Sequence, residues 1–156
     1  MLKEMILKPI GIVHTEYEDE EVASSFHGVE GTIEIFPDYS EGLVGLEGFS
    51  HIILLSYLHK VGEENRKILR VRYRRFLRFG FSIEEVPESG VFASDSPVRP
   101  NPIALSILKV RGIEGRFIRV SGLDVFDGTP VLDIKPYTPE RVVRGYKVPD
   151  WYKNFF

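Results

Sequence analysis

The sequence predicts an all-β fold with mainly antiparallel strands, organised as a single-domain β-barrel with short helical and loop additions. Short apolar or alternating segments recur along the 156 residues and are separated by turn-forming segments. Almost no segment has the apolar spacing of an amphipathic helix. Strands that recur at such short spacing, with so few helices between them, favour a barrel.

Six segments are predicted as strands. The first is interrupted by Gly11, and the third is the most apolar run of the chain, which predicts a central buried strand. The predicted strands are residues 6–15, 31–36, 51–59, 103–110, 117–123 and 131–136. The predicted loops, turns or short helices between them are residues 16–21, 40–48, 81–88, 112–115 and 127–129.

The stretch 90–105 contains three prolines within six residues, Pro97, Pro100 and Pro102. Because proline fixes its own φ and disfavours helix at the residue before it, the backbone here must be extended and stiff. Five polar side chains are therefore held in a fixed arrangement: Ser94, Asp95, Ser96, Arg99 and Asn101. Two interpretations stay open, a pre-organised binding site and a proline-rich surface corner.

A strongly basic segment follows residue 63. Its positive residues are Arg66, Lys67, Arg70, Arg72, Arg74, Arg75 and Arg78. A helix would align every fourth arginine on one face, whereas a strand would align alternate ones. Aromatic residues interleave the charges, and arginines on phosphates with rings stacked on bases would contact RNA. The alternative is a solvated charged face.

Residues 141–156 form an aromatic and basic tail after the predicted barrel domain at 1–140. Its aromatic residues are Tyr146, Trp151, Tyr152, Phe155 and Phe156. Because so many rings are unfavourable in water, we expect the tail to pack on the barrel or on a partner subunit, with RNA as the other alternative.

Composition limits the class of protein. The net charge of −3 argues weakly against a nucleic-acid partner, although local charge matters more than the sum. No apolar run approaches the roughly 20 residues that span a bilayer, and the first residues lack the apolar core of a signal peptide. With no cysteine and four scattered histidines, a structural zinc site is not indicated. We expect a cytoplasmic protein with no metal and no membrane association.

Five blocks of sequence carry a resemblance to a known family. They are P-I-G at 9–11, G-L-V-G-L-E-G-F-S-H at 42–51, G-V-F-A at 90–93, S-P-V-R-P-N-P-I at 96–103 and D-G-T-P-V-L-D-I-K-P-Y at 127–137. In this order they resemble the TrmO/TsaA-like family of S-adenosylmethionine-dependent tRNA methyltransferases. Five ordered blocks across most of the chain make the resemblance specific, and the family's β-barrel agrees with the predicted fold.

The resemblance implies S-adenosyl-L-methionine as methyl donor and threonylcarbamoyladenosine beside the tRNA anticodon as acceptor, methylated on N6. The implied cofactor contacts are Ala23, Ser24, Ser25, His59, Lys60, Asp95, Leu105, Asp127, Gly128, Thr129 and Pro130. The predicted RNA contacts are Arg70, Arg72, Arg74, Arg75 and Arg99. Because N6 is a poor nucleophile that must lose a proton, His59 and Asp127 are candidate catalytic proton acceptors. The resemblance also implies a homodimer, since the family site lies near a subunit interface.

One departure from the family pattern concerns Asp95, where the family usually has arginine. Aspartate reverses the charge and cannot hold an anionic group, so Arg99 or an arginine of 70–75 would have to substitute. Two alternatives therefore stay open: an S-adenosylmethionine-binding barrel with a different methyl acceptor, and a non-catalytic sensing or RNA-binding protein. The sequence has no G-x-G-x-x-G, so a doubly wound methyltransferase fold is not indicated.

Overall fold

The structure, a computed structural model, describes residues 3–155. Every strand pair recorded there is antiparallel, which confirms the predicted all-β, mainly antiparallel class. The strands are β1 Gly11–His14, β2 Val29–Ile35, β3 His51–Tyr57, β4 Arg70–Arg72, β5 Glu88–Gly90, β6 Ile103–Glu114, β7 Phe117–Leu123 and β8 Pro130–Pro136. The α-helices are α1 Asp19–Ser24 and α2 Asp150–Lys153.

Six strands close into a barrel in the order β1-β2-β7-β6-β3-β8, with β8 pairing back to β1. Strand β3 pairs with both β6 and β8, which confirms the predicted central strand. Alternate residues point inward, and Ile33, Ile52, Leu54, Leu108 and Ile118 are completely buried in the barrel core.

The chain forms two compact units. The first contains the residues up to Lys60 together with Ile103–Tyr137, and it holds the barrel. The second contains Val61–Pro102 together with the residues from Thr138 onward, and it holds the two-stranded β4–β5 sheet. The predicted boundary between a barrel domain at 1–140 and a tail at 141–156 stays a prediction. Of the predicted domains, Met1, Leu2 and the tail residue Phe156 lie outside the described residues.

In the second unit the basic segment folds as three short pieces. These are a 3₁₀ helix at Glu63–Lys67, strand β4, and a 3₁₀ helix at Arg74–Phe79. The single helix and the single strand considered for this segment are therefore both wrong. Pairing of β4 with β5 interrupts the helical path, and Gly80 ends the second helix at a φ of +88°.

Aromatic packing forms the core of the second unit. Phe76 is 1% exposed, and its ring stacks on Phe155 of the tail with centroids 3.9 Å apart. Tyr73 also stacks on Phe76, with ring centroids 5.4 Å apart, and contacts Trp151 edge-on with centroids 5.2 Å apart. The tail aromatics thus pack on rings of the basic segment, which explains why those two stretches interleave charge with aromatic residues.

Helix α1 corrects the predicted loop at residues 16–21. A capping box starts the helix: the Glu18 carboxylate accepts the Glu21 N–H, and the Glu18 N–H donates to Glu21 Oε2 at 2.8 Å. Acidic residues in the first turn also favour the helix N-terminus, and Val22 buries against the barrel core. Within residues 3–155, no helix has the length and apolar character needed to cross a membrane.

Strand β6 is longer than predicted. It runs through Gly112 to Glu114 with a register shift opposite β7, so the predicted turn at 112–115 shrinks to the tip at Gly115. A Cβ on Gly112 would lie 2.5 Å from Arg119 Nη2, and glycine leaves room for that guanidinium. The predicted helix or turn at 40–48 is a 3₁₀ helix at Pro37–Leu43 followed by turns.

Candidate functional site

Three separate segments of the barrel unit meet at one place: helix α1, the residues after β3, and the turn between β7 and β8. Lys60 forms an ion pair with Asp19 of α1, and its ammonium lies 5.4 Å from the centroid of the Phe126 ring. A Cβ on Gly128 would lie 3.9 Å from His59 Nε2. The structure therefore brings the predicted residues after β3 close to the predicted turn.

The turn at 127–130 is fixed by hydrogen bonds to β1 and to Thr15, the residue that follows this strand. Asp127 Oδ1 accepts the N–H of Thr15 at 3.0 Å, and the Gly128 N–H donates to the Val13 carbonyl at 2.8 Å. Gly128 has a φ of +79°, which favours glycine. The buried Thr129 hydroxyl donates to the Phe126 carbonyl at 2.6 Å. One Asp127 oxygen thus orders the turn, while its exposed carboxylate retains a second oxygen for a ligand.

A cleft of about 680 Å³ lies between the end of α1 and the β6–β7 face of the barrel. Predicted contacts Ser24 and Ser25 line it. The other lining residues are Tyr17, Glu21, His27, Gly28, Val29, Glu30, His51, Ile107, Lys109, Ser121 and Gly122. The Ser25 hydroxyl donates to the Gly28 carbonyl at 2.8 Å and shapes the connection to β2. Ala23 is exposed on α1 beside these serines.

Leu105 lies on the outward face of β6, where it is 62% exposed. Ile103 and Ile107 precede and follow it on that face, and both are exposed as well. These three residues, which we call the β6 apolar stripe, are large hydrophobic side chains in a row on the barrel surface. Such a row is typical of a surface that another molecule covers.

In the second unit, Arg99 closes the proline-rich loop. Its Nη1 donates to the carbonyls of Ser94 at 2.8 Å and Ser96 at 3.2 Å. Asp95 is exposed on the same loop. Arg99 is thus already engaged in holding the loop, which weakens the idea that it substitutes for the arginine missing at position 95.

The other predicted RNA contacts also lie in the second unit, and two of them are close to Glu88. Arg70 Nε lies 2.9 Å from the Glu88 carboxylate and Arg72 Nη2 lies 4.0 Å from it, while Arg72 also donates to the Val86 carbonyl at 3.1 Å. Arg74 and Arg75 are exposed at the start of the 3₁₀ helix. Burial, and secondarily the neighbouring Tyr152, raises the pKa of the Tyr73 phenol above its usual value.

Sequence reasoning missed two residues of the barrel site, Asp19 and Phe126. Asp19 belongs to an acidic run that reads as a solvated loop, and only the fold shows that it reaches Lys60. Phe126 directly precedes the predicted turn, so an aromatic ring beside that turn was a signal that could have been used. Among residues 3–155, no group of three or more metal-ligating side chains is clustered to hold a metal ion.

Comparison with known proteins places the chain beside tRNA-modifying enzymes and S-adenosylmethionine-binding proteins. Residues 12–141 match the family model of the tRNA-methyltransferase O N-terminal domain. A probable S-adenosyl-L-methionine-binding protein of Pyrococcus abyssi is 40% identical over 141 residues, covering 88% of this chain and 70% of that protein. The tRNA (adenine(37)-N6)-methyltransferase of Homo sapiens is 42% identical over 106 residues, covering 68% of this chain and 22% of that protein.

Among solved structures, TrmO from Pseudomonas aeruginosa superposes with a TM-score of 0.67 at 29% identity. The alignment covers 94% of this chain and 62% of the crystallised one. The chain thus spans somewhat less than two thirds of that protein, and the matched part includes the barrel described above.

Proposed function

The chain belongs to the tRNA-methyltransferase O family, and from that premise we propose that it is an S-adenosylmethionine-dependent methyltransferase acting on tRNA. Its proposed acceptor is N6 of threonylcarbamoyladenosine next to the anticodon. One observation carries the proposal: His59, Lys60 and the 127–130 turn, which are far apart in sequence, adjoin one another beside α1.

The residues at this place fit the methyl donor in chemistry. The Phe126 ring already lies 5.4 Å from a cation, the Lys60 ammonium, and a sulfonium is attracted to an aromatic face in the same way. The exposed Asp127 carboxylate suits an α-amino group or a ribose diol, and the proposed contacts Ser24 and Ser25 line the cleft at the end of α1. When bound, S-adenosylmethionine supplies an electrophilic methyl group.

The role we assign to His59 is that of proton acceptor for N6. A neutral imidazole accepts protons near pH 7, and His59 is exposed where a ligand can reach it. Asp127 is the weaker candidate for this role because one of its oxygens already accepts the Thr15 N–H. We therefore assign Asp127 to ligand binding and turn geometry, with positioning of the two substrates supplying most of the rate.

The proposed assembly is a homodimer. Ile103, Leu105 and Ile107 of the β6 apolar stripe would be covered by the second copy. Because Leu105 is also a proposed cofactor contact, a dimer through this stripe would place a subunit boundary beside the cofactor. The proposed site of action is the cytoplasm, where a tRNA-modifying enzyme meets its substrate.

The proposed RNA contacts of the second unit are Arg70, Arg72, Arg74, Arg75 and Arg99. The first four are exposed. Asp95 favours a second candidate function, methyl transfer to an acceptor other than threonylcarbamoyladenosine. That candidate keeps the cofactor site in the barrel and changes only the group held near position 95.

Single-turnover methyl transfer to tRNA tests the assignment of His59. We expect His59→Ala to lower the rate by about 10²–10⁴-fold, the usual contribution of a general base, with little change in S-adenosylmethionine affinity. The matched control is His14→Ala, because His14 is an exposed histidine on β1 that pairs with Glu34 and has no assigned role. Equal rates for the two variants would exclude His59 as the proton acceptor.

A further inference from the structure

The outer face of β6 and β7 carries three exposed cations, Lys109, Arg111 and Arg119. Lys109 and Arg111 are two residues apart on β6, just beyond the β6 apolar stripe. Arg119 lies on β7 opposite Gly112, and its guanidinium lies over that glycine. We call these three residues the barrel patch.

The three cations of the barrel patch are unpaired among the described residues. Within residues 3–155, none of its side chains forms an ion pair or a hydrogen bond. Some other cations of the barrel unit are engaged: Lys60 pairs with Asp19, and Arg116 donates to the Ile35 carbonyl and lies 4.0 Å from a Glu34 carboxylate oxygen. The residue of β2 that pairs with Arg119 is Thr32, which carries no charge.

Within residues 3–155, no nearby carboxylate forms an ion pair with the patch, and these carboxylates include Glu21 and Glu30, which line the same cleft as Lys109. Glu34, on the neighbouring strand, lies 3.4 Å from His14 and 4.0 Å from Arg116. Glu114 ends β6 at the hairpin tip and forms no ion pair in the described part of the chain. Grouping three like charges costs electrostatic energy, and an external anion would relieve that cost. In a protein with a net charge of −3, such a local concentration of positive charge points to a polyanion.

We propose that the barrel patch binds phosphates of the tRNA backbone. This inference rests on the proposed function and extends it, because it assigns RNA contacts to the barrel itself in addition to the arginines of the second unit. Side chains two residues apart on a strand are separated by roughly 7 Å, so Lys109 and Arg111 can serve different phosphates. Arg119, with its planar guanidinium, can hold a phosphate through two hydrogen bonds.

The patch also has a position that suits catalysis. Lys109 and Ser121 line the same cleft as Ser24 and Ser25, which are proposed cofactor contacts. A backbone phosphate held by Lys109 would therefore keep the RNA strand beside Ser24 and Ser25 at the end of α1. The patch positions the substrate and takes no part in the methyl transfer itself.

The test is the salt dependence of tRNA affinity, measured by fluorescence anisotropy with labelled tRNA. The test variant combines Lys109→Ala, Arg111→Ala and Arg119→Ala. A charge-retaining variant combines K109R, R111K and R119K, and a control removes equal charge elsewhere on the barrel unit through K3A, K8A and K135A. We expect the plot of log K against log salt to be less steep in the test variant, with the magnitude of its slope smaller by about three, roughly one per lost phosphate contact.

At low salt the test variant should also bind tRNA at least about tenfold more weakly, while the other two variants keep the wild-type slope and affinity. Calorimetric S-adenosylmethionine affinity of all four proteins verifies that the barrel is folded. A wild-type slope in the test variant, or an equal loss in the control, would overturn the patch as an RNA contact.

Methyl transfer by the wild-type protein, measured beside these affinities, separates this inference from the proposed function. Wild-type protein that binds RNA but transfers no methyl group overturns the proposed function alone, and the slopes still decide the role of the patch. Wild-type protein that binds no RNA overturns both.

Discussion

Asp127 has two separable roles in this account, and two substitutions distinguish them. Its Oδ1 accepts the Thr15 N–H at 3.0 Å, which ties the 127–130 turn to the residue that follows β1. Its charge is proposed to hold a hydroxyl or amino group of S-adenosylmethionine. Asp127→Asn keeps an oxygen in place but removes the charge, whereas Asp127→Ala removes both.

The hydrogen bond lies at the surface, so its loss should cost about 1 kcal/mol, because water can replace part of it. We therefore expect Asp127→Ala to lower the free energy of unfolding in urea by about that amount. Asp127→Asn should stay within about 0.5 kcal/mol of wild type. A charge-assisted hydrogen bond to the ligand contributes about 1.5–3 kcal/mol, so calorimetric S-adenosylmethionine affinity should fall at least about tenfold in both variants.

Two results would refute this reasoning. If Asp127→Asn is as unstable as Asp127→Ala, the carboxylate stabilises the turn through its charge and not through the hydrogen bond to Thr15. If Asp127→Asn binds S-adenosylmethionine like wild type, the carboxylate is not a cofactor contact. Thr129→Val is a useful control, because it removes the buried hydrogen bond to Phe126 without altering charge.

Three further predictions concern stability. Phe76→Ala should lower the free energy of unfolding of the second unit by about 3–5 kcal/mol, because the ring is buried, and a loss below 1 kcal/mol in urea would contradict the packing described. Gly28→Ala should lower the free energy of unfolding by at least about 2 kcal/mol, because the φ of Gly28 is +77° and a Cβ would lie 2.3 Å from the Gly122 carbonyl carbon. Gly45→Ala is the control and should lower it clearly less, because Gly45 has a similar φ of +87° but open space around it. Burial raises the pKa of Tyr73 above its usual 10.0, so the folded and unfolded proteins both keep the phenol protonated below pH 10. As the pH rises further, the unfolded protein loses this proton first, and the free energy of unfolding falls. Unfolding followed by circular dichroism should therefore show that Tyr73→Phe tolerates alkaline pH better than wild type.

The barrel could be predicted because its signals are local and repeated. Alternation along β2 and the apolar run of β3 mark strands whose inner faces are buried, and these features do not depend on distant residues. Helix α1 was missed because six residues are too few for a helical period, and its capping box at Glu18 and Glu21 looks like part of an acidic loop.

The candidate site could be predicted only in part. The turn at 127–130 carries its own sequence signature, but the pairing of Lys60 with Asp19 joins residues 41 positions apart and depends on the closed barrel. The secondary structure of the basic segment could not be predicted for a related reason. Strand β4 exists because β5 pairs with it, and nothing in residues 63–79 alone specifies that partner.

The most direct test of the central claim is methyl transfer from labelled S-adenosylmethionine to tRNA that carries, or lacks, the threonylcarbamoyl group. We expect label in N6 of the modified adenosine only, with loss of the label in His59→Ala. Label in the unmodified tRNA would show that Asp95 accompanies a different acceptor. No label in either tRNA, despite measurable cofactor binding, would contradict the proposed methyltransferase.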